Sequence, residues 1–259
     1  MSDKRRTLIT GASGGLGMEI AMLMASNGHH LVLVARNEER LLSLKLYIEQ
    51  SFGISADIVA MDLALVESPR RLYDLVREQG FEIEILVNNA GFGDFAPFCT
   101  SDLKKQQEMI ALNISAVVEL CHLFGQEMVW LKRGRILNVA SIAAFQPGPY
   151  MSIYYATKAF VLSFSEALAT ELEGTGVSVT ALCPGPIRTG FEARADLLAS
   201  GLFRNLKVSE PQDVARFGYE AMMRGQVVAI HGVWNRLLVF SGRFAPRSWV
   251  RNMVRRIQA

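Results

Sequence analysis

Short apolar, β-branched runs alternate with longer stretches of helical period along almost the whole chain. The runs are TLIT (7–10), HLVLVA (30–35), ADIVAM (56–61), EILVN (84–88), GRILNVA (134–140), VSVTALC (177–183) and VVAIHG (227–232). Each of the first six is followed by a segment long enough for a crossover helix. The strands are apolar on both faces, which predicts a parallel sheet covered by helices on each side rather than a half-solvated antiparallel one. Right-handed β-α-β units repeated in this way give a single doubly wound α/β domain over residues 1–232. No internal repeat or Pro/Ser-rich linker marks a second domain.

Composition narrows the picture slightly. Half of the 259 residues are apolar, enough for a large core, and 27 Lys and Arg against 25 Asp and Glu leave no global field that would draw nucleic acid. Cys99, Cys121 and Cys183 are far apart among apolar neighbours, so the expectation is buried free thiols in a reducing compartment. The opening MSDKRRTLIT lacks a signal-peptide core, and no run reaches the roughly 18 apolar residues of a membrane span, so a cytoplasmic protein is expected. His29, His30, His122 and His231 lack ligand spacing; no metal site is expected, and surface or satisfied core roles are assigned to all of them.

The first strand runs into TGASGGLG, where Gly11, Ser13, Gly15, Leu16 and Gly17 surround the opening of a helix. Glycines there let the backbone approach a pyrophosphate whose charge meets unpaired helix N–H groups. The spacing differs from G-x-G-x-x-G, and no G-K-[ST] follows, so this is not a P-loop. At the end of the second strand, VLVARNEER puts Ala35 where an acid would hold a ribose 2′-OH, and Arg36 after it. A guanidinium there suits a 2′-phosphate, which favours NADP(H) over NAD(H); Glu38 or Glu39 reaching the ribose is the alternative, and Ser13 adds no second positive charge.

In YYATKAF, Tyr154 and Lys158 stand at i and i+4 on one helical face. A free phenol titrates near ~10, and a neighbouring cation lowers that value, which makes Tyr154 a general acid and base for a carbonyl/alcohol pair. Tyr155 is either the packed ring or the active one. Upstream, NVASIAAF places Ser141 at the carboxyl end of the sheet.

Taken in order, TGASGGLG, NNAG (88–91), Asn113 in ALNIS, Ser141 and Tyr154-x-x-x-Lys158 resemble the short-chain dehydrogenase/reductase family, over residues 7 to 232. The resemblance implies a Rossmann-type fold and a catalytic set of Asn113, Ser141, Tyr154 and Lys158. Tyr154 would move the proton of the substrate oxygen and Ser141 would hydrogen-bond that oxygen. Lys158 would depress the phenol pKa and hold the nicotinamide ribose, and Asn113 would break its helix to position a water. Asp62 and Leu63 would contact adenine; Asn89, Ala90 and Gly91 would wall its ribose; Pro184, Gly185, Ile187 and Thr189 would frame the carboxamide. A homodimer or homotetramer, built through long helices beginning near Lys104 and Ser152, is expected by the same analogy.

After Thr189, a segment holding Phe191, Leu197, Leu198, Leu202 and Phe203 corresponds to the family's substrate lid, and Phe92, Phe95 and Phe98 would add an aromatic wall. Both point to a small hydrophobic carbonyl or alcohol substrate. Beyond residue 232 comes an extension (233–259) in which Trp249, Val250, Met253, Val254 and Ile257 recur at helical spacing between Arg247, Arg251 and Arg255. This is a basic amphipathic helix, and such a tail resembles a bacterial, loosely ketoacyl-reductase-like branch of the family. Docking on its own protein or on a second subunit is favoured, which would bury Trp249; peripheral membrane contact is the other reading. Against the enzyme stands a non-catalytic cofactor sensor or scaffold, which would need only the glycine loop and Arg36.

Overall fold

The computed structural model describes residues 4–188 and 208–258; Thr189 and the lid residues Phe191, Leu197, Leu198, Leu202 and Phe203 lie outside them. Among the described residues, β1 (Arg5–Thr10), β2 (Leu31–Ala35), β3 (Ala56–Ala60), β4 (Glu82–Asn88), β5 (Gly134–Val139), β6 (Val177–Cys183) and β7 (Val228–Ile230) form one sheet. Its order is β3-β2-β1-β4-β5-β6-β7 with every neighbouring pair parallel, the doubly wound arrangement that the alternation predicts. The order reverses between β1 and β4, so a crevice opens beyond their carboxyl ends.

Side chains of each strand alternate between two cores. Ile9, Leu31, Leu33, Ile85 and Leu137 face α1 (Gly15–Ser26), α2 (Glu38–Phe52) and α7 (Pro211–Met223). Leu8, Val32, Val34, Leu86 and Ile136 face α3 (Ser68–Glu78) and α5 (Ala116–Trp130). Both sets are essentially inaccessible to water, which explains why these strands lack polar alternation.

The helix that carries the tyrosine motif, α6 (Ser152–Glu171), is fixed by a buried polar ladder. Asn88 Nδ2 donates to Asn138 Oδ1 (2.9 Å) and Asn138 Nδ2 donates to Ser165 Oγ (2.9 Å), joining β4, β5 and α6 through groups that would be costly to leave unpaired. Before it, α4 (Leu103–Ile110) passes through a π turn, Ala111–Ser115, into α5. The extension forms two helices, α8 (Val233–Gly242) and α9 (Arg247–Gln258), separated by a break that includes Pro246.

Three sequence expectations need correction. The continuous helical stretch Leu103–Trp130 is long and apolar enough to cross a membrane by length and composition, although in this fold Leu120, Cys121, Phe124 and Met128 pack on the sheet. Cys99 is exposed rather than buried, because it lies in a short surface turn, while burial pushes the thiols of Cys121 and Cys183 up to about 12. His231 is not a satisfied core histidine: its Nδ1 is buried without a hydrogen-bond partner, its ring sits edge-on to Phe217, and burial lowers its pKa.

Candidate active site

The glycine loop and the NNAG turn are one unit. Thr10 Oγ1 accepts from the backbone N–H groups of Asn89 (3.0 Å) and Ala90 (2.9 Å), and Asn89 Nδ2 donates to the carbonyls of Thr10 (2.9 Å) and Gly11 (3.3 Å). The loop end of β1 is thereby locked to the end of β4 across the switch point. Gly11 needs its left-handed backbone (φ 68°), and a Cβ there would meet Asn89 Nδ2 at 2.8 Å. Gly17 does a different job from the one expected. It does not line the cleft; a Cβ on it would lie 2.3 Å from the Gly11 carbonyl oxygen, so its bare backbone lets α1 approach the loop.

Above this unit lies a cleft of about 560 Å³, within the range of small-molecule sites. Gly11, Ser13, Gly15 and Leu16 border one end of it, and Asn89, Ala90 and Gly91 another part. Asp62, Leu63, Pro184, Gly185 and Ile187 also line it. A Cβ on Gly91 would stand 3.0 Å from Asn113 Oδ1 and 3.7 Å from Lys158 Nζ, so this glycine keeps open the space beside the buried lysine. An extended cleft with a bare-backbone cradle at a helix start and a buried cation fits a dinucleotide.

Arg36 lines the cleft, and its Nη1 lies 3.6 Å from Asp62 Oδ2, a carboxylate brought in from the end of the third strand. Arg36 is largely exposed and Asp62 partly so, and at this distance the pair is weak. Asp62 Oδ1 accepts the Ala64 N–H (3.0 Å), a local turn bond. Neither Glu38 nor Glu39 lines the cleft; Asn37 and Arg40 do. Asn37 caps α2, its Oδ1 accepting the Arg40 N–H at 2.8 Å. Arg40 is the residue the sequence reading missed, and the signal was an N-cap asparagine followed three positions later by a second cation.

Asn113 sits in the π turn, buried. Its Oδ1 accepts the Phe92 N–H (3.2 Å), and its Nδ2 donates to the Phe92 carbonyl (3.0 Å) and to Thr157 Oγ1 (3.1 Å), tying the turn to α6. Ser141 opens a short 3-10 turn, accepts the Ala143 N–H (3.1 Å), and hydrogen-bonds with the Tyr154 phenol. Lys158 Nζ donates to the Val139 carbonyl (2.7 Å) and lies 5.9 Å from the centroid of the Tyr154 ring. Burial lowers its pKa to about 8.

In the protein alone, the phenol is not depressed as the tyrosine-lysine spacing predicts. Burial raises the pKa of Tyr154 above its ordinary value, and the Ser141 hydrogen bond only partly opposes that. Tyr155 is the packed ring of the pair: it is buried and its hydroxyl accepts Gln258 Nε2 at 2.9 Å. Its pKa is also raised by burial, to about 12.

The far end of the cleft is apolar and is built largely by the C-terminal extension. Leu238 and Val239 from α8, and Met253, Val254 and Ile257 from α9, line it together with Phe92 and Met151. Val254 and Gln258 dock on Tyr155, Met151 and Ala143. Trp249, however, remains 72% exposed, so docking of the tail does not bury it as expected. Of the other two ring residues expected in the wall, Phe98 is exposed, and Phe95 does not line the cleft but packs against the cluster of Ala143, Met151, Tyr155 and Val254 that does, and beside Tyr150.

A family model described as short chain dehydrogenase matches residues 5–197. A very-long-chain 3-oxoacyl-CoA reductase of Pyrenophora tritici-repentis is 37% identical over 178 residues, 66% of this chain and 52% of that protein. The 17-beta-hydroxysteroid dehydrogenase type 3 of Mus musculus is 36% identical over 186 residues, 70% of this chain and 60% of that protein. The chain thus spans a little over half the length of these curated relatives. Among solved structures, a short-chain dehydrogenase from Sphingobium yanoikuyae in complex with NADPH matches with a TM-score of 0.82 at 32% identity, covering 93% of each chain.

Proposed function

The chain belongs to the short-chain dehydrogenase family of hydride-transferring oxidoreductases, and on that premise we propose that it uses NADP(H) to interconvert an apolar ketone or aldehyde with its alcohol. The observation that carries this reading is the convergence of Ser141, Tyr154 and Lys158 between a glycine-cradled end of the cleft and an apolar end.

When bound, a nicotinamide supplies or accepts the hydride. In reduction, the substrate oxygen takes a hydrogen bond from Ser141 and the phenol proton of Tyr154, which yields the alcohol. The raised pKa of Tyr154 keeps the phenol protonated at neutral pH, so its resting form is the proton donor. As negative charge grows on the phenol oxygen, the buried Lys158 ammonium, protonated below about pH 8, stabilises it. Asn113 acts on this arrangement by holding the turn that packs beside Lys158.

The cofactor preference rests on Arg36 and Arg40, which line the cleft at the start of α2, where neither Glu38 nor Glu39 lines it. A bond to a charged group contributes roughly 1.5–3 kcal/mol. Arg36→Ala and Arg40→Ala are each expected to weaken NADPH about tenfold, with NADH changed much less, and the double variant should lose most of the preference. Titration of both cofactors against each variant measures this; equal losses for the two would make these arginines structural.

The apolar substrate end is supported by Leu238, Met253, Val254 and Ile257, and by relatives named for a very-long-chain acyl substrate and for a steroid. The direct test of the whole reading is NADPH oxidation, followed by fluorescence, across ketones and aldehydes of graded chain length and ring count. Turnover should rise with apolar size; absence of turnover with every member would defeat it.

A further inference from the structure

The extension has two faces, and the cleft uses only one. Val233, Leu237 and Phe240 on α8 and Phe244 in the turn that follows it recur at helical spacing and are 53–76% exposed, on the side away from buried Val239. Trp234 flanks this stripe, and Trp249 and Met253 stand four residues apart on α9. Apolar side chains in such an array are more than the scattered surface residues of an ordinary monomer.

The same segment is strongly cationic. Arg236, Arg243, Arg247, Arg251, Arg255 and Arg256 lie in it, and the chain has no Asp or Glu after Glu220. All six are exposed. Pairing of this face with a second copy about a two-fold axis would set arginines against arginines with no carboxylate from the segment between them. An anionic lipid surface meets both properties at once, since headgroups answer the arginines while the aromatic and aliphatic side chains enter the acyl boundary.

We propose that α8 and α9 form a docking face for anionic bilayers and set the mouth of the cleft against the lipid. Leu238 and Met253 connect the two functions: each lines the cleft and each is nearly half exposed, so the apolar lining continues out onto the docking face. An amphiphile leaving the bilayer would meet apolar surface along this path.

Removing the extension is not the test, because Val254 and Gln258 are seated in the body. Point variants of the full chain serve instead: Phe240→Ser with Phe244→Ser, and Arg251→Gln with Arg255→Gln. Each is checked for unchanged NADPH affinity, a measure of folding that needs no turnover. Co-sedimentation is read with phosphatidylcholine vesicles, with or without phosphatidylglycerol. The wild type should bind the mixed vesicles at 0.1 M salt and lose about tenfold in affinity at 1 M, as the screening length falls from about 10 Å to about 3 Å. Each double variant should bind at least about fivefold more weakly. No sedimentation with mixed vesicles, or equal sedimentation with pure phosphatidylcholine, would overturn the proposal. A concentration-dependent dimer abolished by Phe240→Ser with Phe244→Ser would overturn it too, assigning the face to a second copy. Since binding is read without substrate, loss of the oxidoreductase reading would leave this result unaffected.

Discussion

Tyr154→Phe is expected to lower turnover by about 10²- to 10⁴-fold while leaving NADPH affinity within a few-fold. The ring keeps its environment in this variant: it stays edge-on to Tyr155 at 6.1 Å and below the Lys158 ammonium, so only the transferable proton and the bond to Ser141 are lost. Tyr155→Phe is the matched control, one position along the same helix. It removes the acceptor of Gln258 Nε2, a buried bond, and should cost about 1 kcal/mol of stability and weaken apolar substrates through the loosened α9 wall, with turnover at saturation little changed. Measured kcat, KM and NADPH Kd for the pair separate the roles. Full activity in Tyr154→Phe, or lost turnover in Tyr155→Phe with cofactor binding intact, would transfer the chemistry to Tyr155.

The parts of this protein legible in its sequence are those set by local chemistry. Strands buried on both faces must be apolar throughout, so HLVLVA and VSVTALC declare themselves, and β6 begins and ends at the residues expected. Glycines at Gly11 and Gly15 with positive φ are likewise local, whereas the helix break at ALNIS, a π turn in the structure, is implied by the family resemblance and not by the residues alone. What was not legible depends on which side a helix presents to a distant neighbour. Periodicity identified the tail as amphipathic but could not say that Val254 and Gln258 would meet Tyr155 about a hundred residues earlier, nor that Trp249 would be left outside. Arg36 and Asp62 come from different strand ends, and their approach follows from the β2–β3 register rather than from either sequence neighbourhood. Arg40 returns to the cleft only because Asn37 starts α2 where it does.

Lys158→Met should be the other severe variant, and it has a thermodynamic signature that a merely structural lysine would lack. Turnover should fall on the order of 10²-fold, because the methyl thioether has the length of the side chain but no charge to stabilise the developing phenolate. The ammonium is buried beside Val139, and burial lowers its pKa to about 8 from an ordinary 10.5. In the folded protein the neutral amine is therefore favoured relative to the unfolded chain. Below about pH 8 the lysine is protonated in both states, and its desolvation weighs fully against folding. Between about pH 8 and 10.5 the unfolded chain binds more protons than the folded one, so wild-type stability gains from this group as pH rises. The variant cannot share that gain. At pH 7 its loss of a desolvated charge is offset by an unpaired Val139 carbonyl, worth about 1–3 kcal/mol, so the two proteins should be of similar stability. At pH 9.5 the wild type should be ahead by about a further 2 kcal/mol, each pKa unit being worth about 1.4 kcal/mol. Urea unfolding of both proteins at the two pH values measures that difference. Tyr155 and Cys121, whose raised pKa values act in the opposite direction as pH rises, cancel in the difference; Tyr154 and Cys183 feel the Lys158 charge, but burial keeps both protonated in the folded state through pH 9.5 with or without it, so they too drop out over this window. A pH-independent difference would mean that Lys158 holds its ordinary pKa and is not the desolvated cation poised beside the phenol.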